Sequence, residues 1–452
     1  MAERTLIKDL SAKAGQAVTI QGSVEVRRDQ GKLVFFDFRD RTGTVQGVVL
    51  PGSAATDAAK ETRNEFIVSV DGNVNKRPEK NIQEGKMNGD IELEVTGIEV
   101  LARAEELPFD KEADDLTLET RFDYRPYTLR SQRDRDIFAV QSTILAAFRA
   151  SLAKKDFTEF IAPALVGGDA EGGSAVFEIP DYYGKRAFLA TSGQLYKQIM
   201  VGPFERVMTI AKTFRAEKSA TTRHVAEIAQ LEFEMAFVKG PEEVMDVLES
   251  VMRDISTTVA TTHADALSRF EVAPALLPES AFPRFTLREA QEIIEREFGG
   301  KAVGEPDMEP EHERQICEYA KRELGSDFVF ITRFPTTKRA FYTMADPADP
   351  EWSLSFDLLF RGLEINSGAQ RIHDYDTLVA KMESKGMDPA KFAFYLQAFK
   401  YGMPPHGGCS TGLERITARM LELGNVKEAS AFPRDMNRID TLLSKDETNL
   451  EQ

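Results

Sequence analysis

The chain has 452 residues, of which 42% are hydrophobic and 29% charged, and a formal net charge of −17. That length exceeds what one hydrophobic core organises and predicts two domains, while the composition is that of a soluble globular protein and excludes a low-complexity chain. No apolar run approaches the roughly 18 residues that span a bilayer, so no membrane role is expected.

As an average, the acidic balance argues against nucleic acid as a partner, because such binding draws on phosphate neutralisation. The average hides local clusters: Arg27-Arg28, Arg39 with Arg41, and the stretch from Arg121 to Arg135 hold enough arginine for a basic patch, scattered solvated arginines being the alternative. The opening MAERTLIKDLSAK lacks the apolar core of a signal peptide, and Cys317 and Cys409 lie far apart without metal-ligand spacing. Both features predict a reducing, cytoplasmic setting with two ordinary thiols.

Residues 1–105 read as five short alternating strands: AVTIQGSVEV, KLVFFDFRD, TVQGVVL, NEFIVSVDGNV and DIELEVTGIEVL. Turn signals at Asp29-Gln30-Gly31 and Arg41-Thr42-Gly43 separate the first three, the pattern of a small barrel of the oligonucleotide-binding (OB) type. Residues 106–130, with mixed charge, prolines and weak periodicity, predict a linker. A second domain, 131–452, opens on a helix with apolar residues at Ile137, Val140, Ile144, Leu145, Phe148 and Leu152, followed by a strand over FTEFIAPALV. Strands over AFLAT, VMTIAKTF, AQLEFEMAFV, FVFITRFP and WSLSFDLLFRGLEI then mix with helices at about 241–265, 286–297, 309–324, 374–385 and 388–401. The expected class is α+β, an antiparallel sheet flanked by helices.

Three clusters in this domain carry chemistry. In Phe214-Arg215-Ala216-Glu217, alternation places Arg215 and Glu217 on one face of a strand that runs into a loop ending Arg223-His224. The pair reads either as a surface cross-strand contact or as a phosphate grip beside an acceptor for an exocyclic amine. In SFDLLFRGLEINSGAQRIHDYD, Asp357 and Glu364 fall on a largely apolar strand, where carboxylates are costly unless paired or metal-bound. Arg361 and Arg371 are candidate partners, a divalent ion the alternative. In GGCSTGLER, residues 407–415, glycines at a strand-to-helix junction permit close backbone approach, and Arg415 at the helix start suits a phosphate.

In order and context these clusters resemble the three signature motifs of class II aminoacyl-tRNA synthetases, with the helix and strand closing at Pro163 as motif 1, FRAE through EMAF as motif 2 and GCSTGLER through FPRD as motif 3. The blocks GGDAEGG, KRAFLATSGQLYKQ, RAFYTM, FDLLFRGLEINSGAQRIHDYD and FKYGMPPHGG further resemble aspartyl-tRNA synthetases of the archaeal and eukaryotic type, and the likeness includes the barrel. It implies a homodimer built through motif 1, with ATP, L-aspartate, magnesium and tRNA-Asp as ligands. Charging of tRNA-Asn as well is left open.

By the same resemblance Glu171, Gln194, Lys197, Tyr342, Ser367 and Arg371 hold the amino acid. Arg215 grips the α-phosphate and Glu217 the adenine amine; Arg223, His224, Gly412 and Arg415 complete the ATP site, and Asp357 with Glu364 binds magnesium. Arg215 and Arg415 are the expected catalytic groups. Two cations, Lys197 and Arg371, would favour aspartate over neutral asparagine. Arg28, Phe35 and Gln46 are the expected anticodon contacts on the barrel, Phe35 rather than Phe36 facing outward. Ser192-Gly193-Gln194 departs from the aspartyl pattern towards the asparaginyl one, so an asparaginyl synthetase is one alternative. A catalytically silent tRNA-binding paralogue is the other.

Overall fold

The computed structural model describes residues 3–168, 175–216, 218 and 221–439. Glu171 and Glu217 lie outside the described residues. The chain divides into two compact units, Met1–Asp110 and Lys111–Gln452.

In the first unit β1 (Ala17–Asp29), β2 (Val34–Asp40), β3 (Gly43–Val49), β4 (Ile67–Lys76) and β5 (Ile91–Ala102) close a barrel in the order β1-β2-β3-β5-β4. Alternation drives the closure. Along β2, Val34, Phe36, Phe38 and Asp40 are buried, whereas Phe35, Asp37 and Arg39 are half-exposed on the other face. The Phe36 and Phe38 rings stack at 5.2 Å within a core that includes Ile20, Val68 and Leu93. Burying such a ring contributes about 1.5–3 kcal/mol.

The stretch expected as a linker, residues 106–130, belongs from Lys111 onwards to the second unit. Leu118–Asp123 and Arg125–Thr128 are helical, and the buried Arg121 and Arg125 meet Asp134 at 3.4 and 2.8 Å. Arg125 also donates to the carbonyls of Ser430 and Ala431. Buried guanidinium groups require such partners, and the two carbonyls lie too far along the chain for local charge patterning to reveal them.

Next comes α1 (Gln132–Ala153). By length and apolarity alone it would suffice to cross a membrane, yet Ile137, Val140, Ile144, Phe148 and Leu152 are buried in the core, where α1 packs on α3. The remaining elements that position the site are α2 (Gln194–Phe204), α3 (Pro241–Thr262) and α4 (Leu413–Met420) with β6 (Thr158–Glu159), β7 (Arg206–Phe214), β8 (Glu227–Ala236), β9 (Arg284–Thr286), β10 (Phe328–Thr332), β11 (Ser355–Phe360), β12 (Leu363–Gln370) and β13 (His406–Gly412). The strand expected over FTEFIAPALV shrinks to β6 and a two-residue strand at Leu165–Val166, because Pro163 between them has no N–H to give a ladder.

The eight strands run β9-β10-β11-β12-β13-β8-β7-β6. The centre is antiparallel as expected, but β9/β10 and β7/β6 pair in parallel, so the sheet is mixed. The single strand expected over WSLSFDLLFRGLEI is in fact a hairpin. Arg361 and Gly362, at φ 47° and 79°, form the two-residue turn between β11 and β12, a geometry matched to the twist of antiparallel strands. One face of the sheet sends Phe328, Phe330, Phe356, Leu358 and Phe360 into the core shared with α1 and α3. The opposite face holds a cleft.

Candidate functional site

The cleft has a volume of about 350 Å³ and gathers most of the residues singled out in the sequence: Gln194, Arg215, Arg223, His224, Tyr342, Glu364, Ser367, Arg371, Gly412 and Arg415 all line it. Strand register explains the convergence. Asp357 pairs with Ser367, Ser367 with Ser410 and Ser410 with Glu232, so one row crosses four strands on one face. Glu364 and Ser367 are three apart on β12 and would face opposite sides of a regular strand. A register shift after Leu358 sets Glu364 opposite Leu359 and returns it to the face of Asp357.

At one end of the cleft lies a buried ionic cluster. Arg371 donates from Nε to Glu234 at 2.8 Å and from Nη2 to the Gly408 carbonyl at 2.8 Å and to Gln194 Oε1 at 3.3 Å. Its guanidinium sits 5.3 Å from the centre of the Tyr342 ring. Nη1 makes no hydrogen bond among the described residues. Burial alone would push Glu234 up, but Arg371 and Lys197 outweigh it and hold the carboxyl below its usual range. Gly408 is required here, since a Cβ would fall 2.2 Å from Glu234 Oε2.

Lys197 departs from expectation. It does not line the cleft but lies behind it, 1% exposed, with Nζ 3.2 Å from Glu232, 3.6 Å from Glu234 and donating to the Cys409 carbonyl at 2.9 Å. The two cations are therefore balanced by two fully buried carboxylates that the sequence reading left without a role. Gly193 caps α2 beside them: its N–H donates to Glu232 at 3.4 Å, and a Cβ would come within 3.2 Å of the same carboxylate.

Towards the other end, Arg215 follows β7 with a buried Nε that finds no hydrogen-bond partner among the described residues, and Gln230 Oε1 is equally unpartnered. Arg223 pairs with Glu313, His224 Nδ1 meets Thr221 Oγ1 at 2.6 Å, and Arg415 donates to the Glu364 carbonyl at 2.9 Å. The carboxylates do not pair with Arg361 and Arg371. Arg361 serves Asp327, and Asp357 is instead held bidentately by Arg339, at 3.1 and 2.7 Å. Arg339 also donates to Ser367 at 3.2 Å and stacks 3.7 Å from the Phe334 ring centre. It opens the RAFYTM block, from which the sequence reading took only Tyr342.

Glu364 keeps 37% of its side chain open to the cleft, with Arg415 at 3.7 Å. Partial burial, then the charges of Asp357 and Glu313, push its carboxyl above the ordinary carboxylate range against the pull of Arg415 and Arg339. Asp357, Glu364 and Glu313 are faced by Arg339, Arg415 and Arg223, and no group of three or more metal-ligating side chains forms among the described residues. Glu414, accepting from the Ala229 N–H at 3.1 Å, is likewise pushed up to about 7 by burial. Cys317 and Cys409 are buried and pushed up to about 12, which leaves both as inert thiols.

On the barrel, Phe35 is half-exposed and Phe36 buried, as expected. Arg28 pairs with Phe35 across β1 and β2, and Asp37 with Gln46 across β2 and β3, so all four share the outer face. Arg28 grips Asp37 bidentately at 2.7 and 2.9 Å, and Gln46 Oε1 accepts from Arg77 at 2.8 Å. The result is an aromatic ring framed by hydrogen-bonding groups, suited to stacking an unpaired base.

A polar, arginine-lined cleft on such a sheet, in a chain whose other compact unit is a five-stranded barrel, has the features of a class II synthetase. Comparison with known proteins agrees: residues 117–436 match the family described as tRNA synthetases class II (D, K and N), and residues 18–101 match the OB-fold nucleic acid binding domain. The chain belongs to the class II aminoacyl-tRNA synthetases, enzymes that use ATP. More particularly, it is 41% identical to the aspartate–tRNA(Asp/Asn) ligase of Thermus thermophilus, over 96% of this chain and 99% of that one. It is 39% identical to the enzyme of the same name from Deinococcus radiodurans, over 97% and 98%. Among solved structures, asparaginyl-tRNA synthetase from Pyrococcus horikoshii complexed with asparaginyl-adenylate superposes with a TM-score of 0.89 at 31% identity, over 97% of this chain and 100% of that one.

Proposed function

We propose that the chain activates L-aspartate with ATP and transfers it to tRNA-Asp, and to tRNA-Asn as well. The aspartate α-carboxylate attacks the α-phosphorus in line, giving aspartyl-adenylate and pyrophosphate. The terminal ribose hydroxyl of the tRNA then takes the aspartyl group and AMP leaves. No side-chain nucleophile is needed, so catalysis is positioning and charge neutralisation.

The observation that carries the amino-acid assignment is Arg371. Its Nε and Nη2 are occupied, it lines the cleft, and Nη1 remains for a ligand, to which a carboxylate gives a stronger, charge-assisted bond than an amide does. Gln194, Tyr342 and Ser367 line the same cleft, with Glu171 assigned there by resemblance and Lys197 acting from behind through Glu232 and Glu234. Arg215, whose Nε lacks a partner, holds the α-phosphate. Arg223, His224, Gly412 and Arg415 receive the outer phosphates, and Glu217 the adenine amine. Asp357 and Glu364 are the residues that would hold magnesium, which when bound would supply electrostatic neutralisation of the phosphate chain. That role would require Arg339 to release Asp357, which it holds bidentately.

A homodimer joined along α1 and β6 fits the exposed sheet edge at β6 and the 86% exposed Ile161 beside it. The two unreactive thiols suit a reducing cytoplasm, and the burial of α1 suits a protein outside the bilayer. A second reading, activation of asparagine, draws on the balance of Lys197 and Arg371 against Glu232 and Glu234, which leaves the cluster formally neutral. Amino-acid-dependent pyrophosphate exchange decides between them: exchange with aspartate and not asparagine is expected, and the reverse would overturn the assignment. Charging of tRNA-Asp and tRNA-Asn transcripts side by side tests the breadth of tRNA choice.

A further inference from the structure

Behind the amino-acid end of the cleft runs a chain of hydrogen bonds in which every donor and acceptor is dictated by its neighbour. It starts at a backbone carbonyl. His406 Nδ1 lies 2.9 Å from the Pro404 oxygen, which only accepts, so Nδ1 carries the proton. The imidazole is fully buried, and that burial pushes it down to about 4, so it is neutral at pH 7 and its Nε2 is a bare acceptor. Gln198 Nε2, 2.9 Å from that nitrogen, must then be the donor. The Gln198 amide is thereby fixed, with Oε1 turned to accept from the Tyr395 hydroxyl at 3.1 Å and from Gln194 Nε2 at 3.0 Å. Gln194 is fixed in turn, and its Oε1 faces Arg371 Nη2 at 3.3 Å.

From this geometry we infer that His406, Gln198 and Tyr395 are positioning residues for substrate selection: they lock the Gln194 carboxamide with its oxygen towards Arg371. The inference rests on the proposed aspartate site. In the opposite orientation the Gln194 NH₂ would confront the guanidinium donor to donor, and its oxygen would confront Gln198 Oε1 acceptor to acceptor. Either clash displaces Arg371 and with it the free Nη1. Without the relay only the 3.3 Å contact to Arg371 would orient the Gln194 amide, so the guanidinium would be held less firmly and the cleft would distinguish a carboxylate from a carboxamide less well. None of the three touches the cleft, so their effect reaches the substrate only through Gln194 and Arg371.

The test is ATP–pyrophosphate exchange on the full-length chain. His406→Leu removes the acceptor; His406→Gln supplies an oxygen near the Nε2 position and keeps Gln198 oriented. Expected for His406→Leu is a KM for aspartate raised about tenfold, with the preference for aspartate over asparagine falling in parallel, the size of one charged-group hydrogen bond. The KM for ATP and kcat should hold within about twofold, and His406→Gln should recover most of the loss. Tyr395→Phe, a smaller change should the leucine variant not fold, should raise the aspartate KM about threefold with the same split. Unchanged aspartate KM in Tyr395→Phe and either His406 variant would overturn the relay, as would equal losses in kcat and ATP KM. Wild-type protein that exchanges with asparagine alone would sink the aspartate reading instead, a separate outcome visible before any variant is made.

Discussion

Glu232 and Lys197 offer a quantitative check on the charge cluster under the cleft. The pair is 3.2 Å apart with side chains 0% and 1% exposed, and Glu234 is already shared with Arg371. Glu232→Gln keeps the shape and an oxygen for the Gly193 N–H but leaves one buried positive charge unmatched, at a cost of about 3–5 kcal/mol. For a unit of roughly 340 residues, with an unfolding entropy of about 0.7 kcal/mol/K, that lowers Tm by roughly 4–7 °C. Lys197→Met should cost a similar amount, leaving two carboxylates to one arginine. The double variant restores neutrality, so its loss should fall short of the sum of the singles by at least about 1 kcal/mol. Trp352 is the only tryptophan and lies in the second unit, packed against Arg288 and the Leu287 cluster, so urea titration followed by its fluorescence reads this unit alone. In the exchange assay the double variant's KM for aspartate should lie nearer to wild type than that of either single. Additive losses within about 0.5 kcal/mol would refute the claim that these charges balance one another.

Phe35→Ala should weaken tRNA binding by about 1–3 kcal/mol, read as a raised KM for tRNA with pyrophosphate exchange unchanged, whereas Phe36→Ala should cost about 3–5 kcal/mol of barrel stability. Glu414 has a folded pKa of about 7, above its unfolded value near 4.5, so the native state binds more protons in that window and stability falls as pH rises through it. Glu414→Gln, which can still accept from Ala229, should therefore match wild type at pH 4.5 and exceed it at pH 8 by up to about 3 kcal/mol in urea melts. His406 works in the opposite sense: its folded value of about 4 lies below the unfolded 6.5, so stability is lost as pH falls between the two. His406→Gln should flatten that acid limb by up to about 3 kcal/mol, and an unchanged limb would show that the imidazole is already charged in the native state.

What was legible in the sequence followed local rules. Alternation gave the five barrel strands and put Phe35 outward and Phe36 inward, because the period of two is a property of the strand itself. Helical spacing found α1 and α3, and the motif clusters named most of the cleft. What escaped depends on which strands become neighbours. Nothing near Asp357 in the chain announces Arg339 as its partner, and nothing near Lys197 shows that Glu232, Glu234 and the Cys409 carbonyl will enclose it. The hairpin at Arg361-Gly362 was hidden by continuous hydrophobicity, since a strand buried on both faces and a tight turn between two such strands differ only at the two turn residues.

The two ends of the cleft differ in how far the protein satisfies itself. Around Arg371 almost every donor and acceptor is matched internally, so a ligand there gains one charged contact at a rigid, prepaid site and is chosen by fit rather than by raw attraction. Around Arg215 and Gln230, buried polar atoms lack partners among the described residues, so a ligand that supplies them removes costs already present in the free protein. Such a division lets the common substrate of the family supply binding energy while the amino-acid end stays stiff enough to discriminate. It follows that softening substitutions near Arg371 should erode selectivity before affinity for ATP, the order in which the His406 and Tyr395 variants are expected to fail.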